Sequence, residues 1–558
     1  MATSIVSPPT FFQKDSLNPG SDRQRRRRRH REHILGLCLV TTLTALAFAV
    51  HGYHPFAEDG GLYLAGIKRV LEPGMFPRES GFVLGHLRFS LFAPAVASIV
   101  RFSGLTLDSV LLLLYLASIW ATLWAGWLIA GHCFQGRSRI GAVALLATWL
   151  TLPVAGTSLM MMDPYVTARS ISTPCTLLAL AYSLEFLAQW RQRRKCDWGA
   201  AAKSGAFLAI AALMHPLMAA YGFGCILALA ISVLRQRKMW ILATMMLCIA
   251  AIAAAAILQV AGQPESDAYR QVAMSRYYWF LSKWQWYEWL GLTGPIAILG
   301  FAGLVRQEEE SYGMAVPLAR MGVAAGIASI VVALLFAQPD AARLLVARLQ
   351  PLRVFQVIYV VMILYVGAGL SVYLGNKKMR WLAAFAALGT IMFLVQREIF
   401  PTSAHIEIPS ERQSNAWVRA FEWIRKNTPK DALFALDADY ITKPGEDAQC
   451  FRAIAERSAL PDYSKDGGEA AITPSLTDDW KRGQELQTKL SESSDTQKVT
   501  ELRQAGVDWV VLARGAVTAF PCNYANEAVK VCRLPENTSN SEVRISSQDR
   551  KPFLPALK

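Results

Sequence analysis

The stretch SVLLLLYLASIWATLWAGWLIAG, Ser109 to Gly131, runs for 23 residues without a charged side chain. A helix needs roughly 20 apolar residues to span the hydrocarbon core of a bilayer, and a buried helix of a soluble domain rarely needs so many. The same signal recurs from Met239 to Gly262. Working outward, apolar runs at about 34–53, 109–131, 140–156, 172–190, 200–215, 217–234, 239–261, 288–305, 320–337, 351–375 and 381–399 predict eleven spans. Of 558 residues, 53% are hydrophobic and 18% charged, less charge than an ordinary soluble domain carries. The expected fold class is a polytopic α-helical membrane protein of about eleven transmembrane helices. Interfacial amphipathic helices fill its first outer loop, and a small C-terminal α/β soluble domain follows the last span.

The net charge of +15 comes about half from seven arginines between Arg23 and Arg31. Their place just before an apolar run marks the cytoplasmic end of a first span and a contact with membrane lipids. A nucleic-acid partner is not expected. His33 to Tyr53 reads as a retained signal anchor. The nine cysteines show no CxxC and no metal-ligand spacing. Cys522 and Cys532 flank a turn-like segment, and whether they join in a disulfide stays open.

Orientation turns on Gly81 to Phe102, which is apolar but carries His86, Arg88, Pro94 and Arg101. If it crosses, the basic loops 191–195, 235–238 and 376–380 fall outside. If it lies in the interface or re-enters, they fall inside, together with Arg137, Arg139 and the 306–320 loop. The positive-inside rule favours the second arrangement. The N-terminus is then cytoplasmic. Segments 54–108, 157–171, 262–287, 338–350 and 401–558, with the His215–Pro216 turn, lie on the other face. The domains expected are a basic arm (1–33), a transmembrane domain (34–400) and an extracytoplasmic α/β domain (401–558).

In the tail, Ser410 and Gln413 read as a capping box before a helix striped by Trp417, Phe421, Trp423 and Ile424. Ala432 to Leu436 and Val507 to Leu512 read as strands, and Gln484 to Gln504 as one helix. The tail has no glycine-rich phosphate loop.

The first outer loop reads HPFAEDGGLYLAGIKRVLEPGMFP, residues 54–77. Glu58 and Asp59 precede a helix whose Tyr63, Ile67, Val70 and Leu71 have helical spacing. Asp59 is open to two readings, an N-cap of that helix or a catalytic carboxylate at headgroup height.

A carboxylate pair after the first span, then an amphipathic helix carrying Tyr63, resembles the first outer loop of GT-C-type membrane glycosyltransferases. The segments LIAGHCFQGRSRIGAVALLATWLTLP (128–153), NAWVRAFEWIRKNTPKDALFAL (415–436) and ELRQAGVDWVVLAR (501–514) resemble that family's second inner turn and outer C-terminal domain. The resemblance spans most of the chain in degenerate motifs. It implies transfer of a sugar from a polyprenyl-phosphate-sugar donor to a glycan, lipid or protein acceptor, at the outer face of a bacterial inner membrane. Asp59 would be the base or acceptor-positioning group, with Glu58 as the alternative. Some members hold a divalent metal near these carboxylates, but no spacing here demands one.

Other outer-face residues fit that chemistry. Inversion at the anomeric carbon needs a base on the acceptor hydroxyl and cations on the departing phosphate. Asp163 and Arg169 stand in MMMDPYVTARSISTP (160–174), as a turn and its ion pair or as part of a site. Arg353 and Gln356 open the tenth span. An arginine there either snorkels to headgroups or serves function, and it resembles the family's late-helix arginine that contacts lipid phosphate. His215 reads as a helix-end hydrogen-bonder or a site residue. Arg276 and Lys283 lie in the aromatic loop 275–289, which serves as an interfacial belt or a sugar-stacking surface. Three rival functions use the same features: a transporter or flippase, an envelope polysaccharide polymerase or ligase, and a non-catalytic scaffold whose tail binds a partner.

Overall fold

A computed structural model describes residues 19–193, 196–234, 236–304, 313–408, 414–488 and 490–535. The side chains of 19–29, the Ser410–Gln413 box and parts of the 191–195, 235–238 and 306–320 basic loops lie outside the described residues.

Each predicted apolar run contains a helix. Seven helices are long and apolar enough to cross a membrane: His30–His51, Leu107–Cys133, Ala168–Gln192, Arg237–Ala261, Ala315–Phe336, Leu345–Leu374 and Lys378–Ile399. They make the chain a helical membrane protein. Trp198–Met214 and Pro216–Ser232 are apolar but shorter, at 17 residues each. The expected span 140–156 is corrected to a 13-residue helix, Gly136–Thr148. Pro153, which has no N–H to continue a helix, then opens a short hairpin of β1 (Pro153–Val154) and β2 (Leu159–Met160). Gly81 to Phe102 is a broken pair, Gly81–Phe89 and Phe92–Ser103, bent by 95°. Leu91 N–H, at the bend, donates to Leu213 O at 2.9 Å.

Close helix contacts rest on small residues, as is usual where apolar lipid offers no hydrophobic drive. A Cβ on Gly367 would stand 2.5 Å from Gly141 O, and one on Gly141 would stand 2.7 Å from Gly367 O. This contact seats Phe355–Leu374 against Gly136–Thr148 and fixes the helix that Arg353 leads into.

The tail is the expected α/β unit. Its five-stranded sheet adds β3 (Leu433–Ala435), β4 (Ser458–Ala459), β5 (Trp509–Ala513), β6 (Cys522–Ala525) and β7 (Val529–Arg533), in the order β4-β3-β5-β7-β6. β4, β3 and β5 run parallel, while β7 and β6 are antiparallel. Cys522 pairs with Cys532 across β6 and β7 and forms a disulfide. The helix Ala416–Asn427 is capped by Asn415, whose Oδ1 accepts from Trp417 N at 2.8 Å. The single helix expected from Gln484 to Gln504 is corrected to two, Thr477–Gln487 and Asp495–Gln504. Ser494 stops and restarts the chain there by capping the second helix.

The tail packs onto the first loop. Tyr53 bridges to Ile406 and Ala57 to Gln449. His54 and Glu407 meet at 2.7 Å, fully buried. Lys68 pairs with Glu456 at 2.6 Å and Arg78 with Asp508 at 3.0 Å. One hydrophobic core runs from the bundle into the tail and joins Leu64, Phe421 and Phe434.

Candidate active site

Asp59 lies in the first turn of the amphipathic helix Glu58–Leu71. The cap position is Ala57, and no side chain caps the helix. The capping reading of Asp59 is therefore corrected, and its carboxylate is turned elsewhere. Glu58 holds φ +52°, a left-handed conformation that costs a non-glycine residue energy. Its N–H donates to Ala448 O at 2.8 Å, so the tail holds the strained turn in place. Gly60 and Gly61 permit the crowding around it. A Cβ on Gly60 would meet Tyr165 at 2.8 Å, and one on Gly61 would meet Cys450 at 2.2 Å.

Arg169, at the start of Ala168–Arg193, joins two carboxylates. Its Nη2 donates to Asp59 Oδ2 and to Asp163 Oδ2, each at 2.9 Å, and its Nε reaches Asp163 Oδ2 at 3.3 Å. Thr167 Oγ1 accepts from Arg169 N at 3.2 Å and fixes the turn beneath it. Arg169 thus joins Asp163 of the bundle to Asp59 of the first outer loop.

From the tail, Lys465 Nζ reaches Asp59 Oδ1 at 3.2 Å and also pairs with Glu58. Lys465 was not foreseen. Its backbone is firmly mounted. Lys465 N–H donates to Asp462 Oδ1 at 2.6 Å, Asp462 N–H donates to Asp466 Oδ2 at 2.8 Å, and Arg452 Nη1 donates to both Asp466 oxygens at 2.7 Å. Arg276 staples the same turn to the bundle, donating to Ser464 O at 2.7 Å and Tyr463 O at 2.8 Å. A signal for this was present. Lys465-Asp466-Gly467-Gly468 echoes Glu58-Asp59-Gly60-Gly61, a charged pair followed by two glycines at a helix start.

Glu58, Asp59, Asp163, Arg276, Arg353 and Lys465 line a cleft of about 350 Å³. Tyr165, Tyr277, Tyr278, Glu288 and the β1–β2 hairpin add to its wall. Arg353 stands in the turn Pro351–Val354 ahead of Phe355–Leu374. Among the described residues it has no carboxylate within ion-pair reach, and its buried Nε has no hydrogen-bond partner.

The other predicted residues take supporting places. Gln356 pins the loop behind the cleft, its Nε2 donating to Met161 O at 2.9 Å and Met160 O at 3.2 Å. His215 caps Pro216–Ser232, accepting from Met218 N at 3.4 Å. Lys283 is exposed in the turn Leu281–Lys283 and does not line the cleft.

The charges decide what this wall can do. Burial pushes the Asp59 carboxyl up, but Lys465 and Arg169 outweigh it and hold the group far below the usual carboxylate range. Burial works against the Lys465 ammonium, but Glu58 and Asp59 raise it well above an ordinary lysine. Burial raises the Asp163 carboxyl despite Arg169. Behind Lys465, burial pushes Glu469 up to about 8. The described residues contain no cluster of three or more His, Cys, Asp or Glu fit to hold a metal. Glu58 and Asp59 both pair with Lys465, whose ammonium takes the place a divalent ion would need beside them, so this arrangement does not fit one.

No protein-family model matches the sequence, and no curated protein matches it. Among solved structures, the chain is similar to the oligosaccharyltransferase of Archaeoglobus fulgidus tethered with an acceptor peptide, at 11% identity, 86% of this chain, 69% of that chain and a TM-score of 0.47. The archaeal oligosaccharyltransferase AglB from the same organism, in complex with an inhibitory peptide and a dolichol-phosphate, gives the same identity and coverage with a TM-score of 0.38. That organism's enzyme in complex with Zn and sulfate gives 11%, 85%, 68% and 0.40. The likeness is one of outline.

Proposed function

We propose that this chain is a GT-C-like membrane glycosyltransferase. It passes a sugar from a polyprenyl-phosphate carrier to an acceptor at the outer face of a bacterial inner membrane. The N-terminus is cytoplasmic, and the cleft and tail face outward. The observation that carries the reading is the cleft itself. It sets a polarised carboxylate, Asp59, in one wall with Arg353, a cation with no carboxylate of its own among the described residues.

The pair suits displacement at an anomeric carbon. A lipid phosphate is already a leaving group, so no nucleotide-binding fold is needed. Arg353 holds the phosphate, since a guanidinium left unpaired in a half-buried place is stabilised by an anion. Asp59 orients the acceptor hydroxyl and accepts its proton as the new bond forms. Arg169 keeps the Asp59 carboxylate in place, and Asp163 keeps Arg169 charged and aimed. The placement of Lys465 and Arg276 in the same wall favours a tail that completes the site over a tail that only recruits a partner.

The test is transfer by the purified protein from a panel of radiolabelled lipid-linked sugars. Wild type transfers label, and Arg353→Gln raises the donor KM about tenfold. Absence of transfer across the panel, with label bound equally by both proteins, overturns the reading. Orientation is checked with a cysteine placed at position 193. It stays unlabelled by an impermeant thiol reagent in intact cells, and labelling there contradicts the topology.

A further inference from the structure

Three cations line the cleft, and they are not equivalent. Arg276 spends its donors on the carbonyls of Tyr463 and Ser464 and is fixed at both ends. Arg353 is the one without an ion-pair partner among the described residues, its buried Nε unbonded. Lys465 is held only by carboxylates, at Glu58 and Asp59, on a long stem above a rigid backbone.

The reaction moves charge through this group. In the transfer proposed above, the donor is a sugar phosphodiester with one negative charge. The acceptor oxygen forms its bond to the anomeric carbon as the bond from that carbon to the phosphate oxygen breaks, with the electron pair leaving on the phosphate. The acceptor proton goes to Asp59. The phosphate, now a monoester, gains a second negative charge while Asp59 loses its own. One negative charge therefore passes from Asp59 to the phosphate. Arg353 alone matches the diester. The charge that develops needs a second cation, and that cation is best released when Asp59 is neutralised.

We infer that Lys465 of the tail domain is a catalytic residue, the second phosphate cation, released from Asp59 and received by the leaving phosphate beside Arg353. The inference rests on the transfer reading. It explains why a carboxylate clamped by two cations can serve as a base. An Asp59 held by both Arg169 and Lys465 attracts a proton too weakly. Once Lys465 turns to the phosphate, only Arg169 remains on it, and Arg169 is shared with Asp163. A lysine suits the task because its ammonium presents three donors on a flexible four-carbon stem. The domain need not move, because Asp462, Asp466 and Arg452 hold the turn.

The experiment compares wild type, Lys465→Gln, Lys465→Arg and Asp59→Asn in the full-length protein in detergent. Undecaprenyl phosphate is titrated as the probe, and transfer is followed over pH. Lys465→Gln lowers kcat about 10²–10³-fold, more than it changes KM. It also moves the acid limb of kcat/KM to higher pH and weakens phosphate binding about tenfold. Lys465→Arg recovers phosphate binding. Asp59→Asn binds the phosphate severalfold more tightly than wild type, because it removes one of the two carboxylates that hold Lys465, and a purely structural salt bridge does not predict that reversal. If Lys465→Gln fails to fold, the gain in Asp59→Asn decides. A Lys465→Gln protein within threefold of wild-type kcat, or an Asp59→Asn protein that binds phosphate no more tightly, overturns the role of Lys465 and leaves the transfer reading standing. A wild type that neither transfers sugar nor binds the phosphate removes both.

Discussion

The cleft has two halves built on different principles. The bundle half, Arg169 with Asp163, is sealed, its side chains 7% and 6% exposed. Behind it Gln356 pins the loop backbone by two hydrogen bonds. The tail half, Lys465 with Glu58, is more open at 17% and 40%. Its side chain makes ionic contacts alone. A sealed ion pair holds one geometry, whereas a more open one, with water at hand, exchanges partners more readily. The bundle half therefore fixes Asp59, and the tail half is free to leave it.

The largest effect expected from breaking this contrast is on the sealed side. Arg169→Met leaves Asp163 buried without its cation and costs about 3–5 kcal/mol of stability. Thermal unfolding in detergent checks this, and a loss below 1 kcal/mol would show that the bundle half is not a locked unit. Gln356→Leu should cost about 1–3 kcal/mol, the cost of leaving the loop carbonyls unpaired, and should leave donor KM within about threefold of wild type. A raised KM with an unchanged melting point would return Gln356 to the substrate.

On the tail side the sign differs. The Glu469 carboxyl is raised by burial, so its favourable contribution is complete below the unfolded value near 4.3 and is lost as pH rises through about 8. Glu469→Gln should match wild-type stability near pH 4 and exceed it by about 1 kcal/mol or more at pH 8. Asp59 behaves oppositely. Its carboxyl is depressed, so its pairing stabilises above about pH 4 and is lost only as pH falls further. Melting curves from pH 4 to 8 separate the two, and a Glu469→Gln protein less stable than wild type at pH 8 would refute the buried neutral acid. The smallest effect is at Glu58. Glu58→Gln should leave transfer within about threefold of wild type, since Lys465 keeps Asp59 as a partner.

The sequence showed the bundle better than the site. Long apolar runs carry their own signal, so each predicted run holds a helix. Gly136–Thr148 is the exception in length, because Pro153 and the hairpin after it take the chain toward the cleft. Asp59, Asp163, Arg169 and Arg353 were legible because charge beside an apolar span is expensive and stands out. Lys465 was not. It meets Asp59 across 406 residues of chain, inside a polar domain where one more lysine is unremarked. Asn415 was hidden for a local reason, since Ser410 and Gln413 matched a capping pattern upstream of the true helix start.

In the proposed transfer from a lipid phosphate, Asp59 accepts the acceptor proton. Single-turnover transfer from pre-bound radiolabelled donor tests it most directly. Asp59→Asn is expected to retain the bound donor but to transfer it about 10²–10⁴-fold more slowly than wild type. Transfer at the wild-type rate by an Asp59→Asn, Glu58→Gln double variant would contradict it.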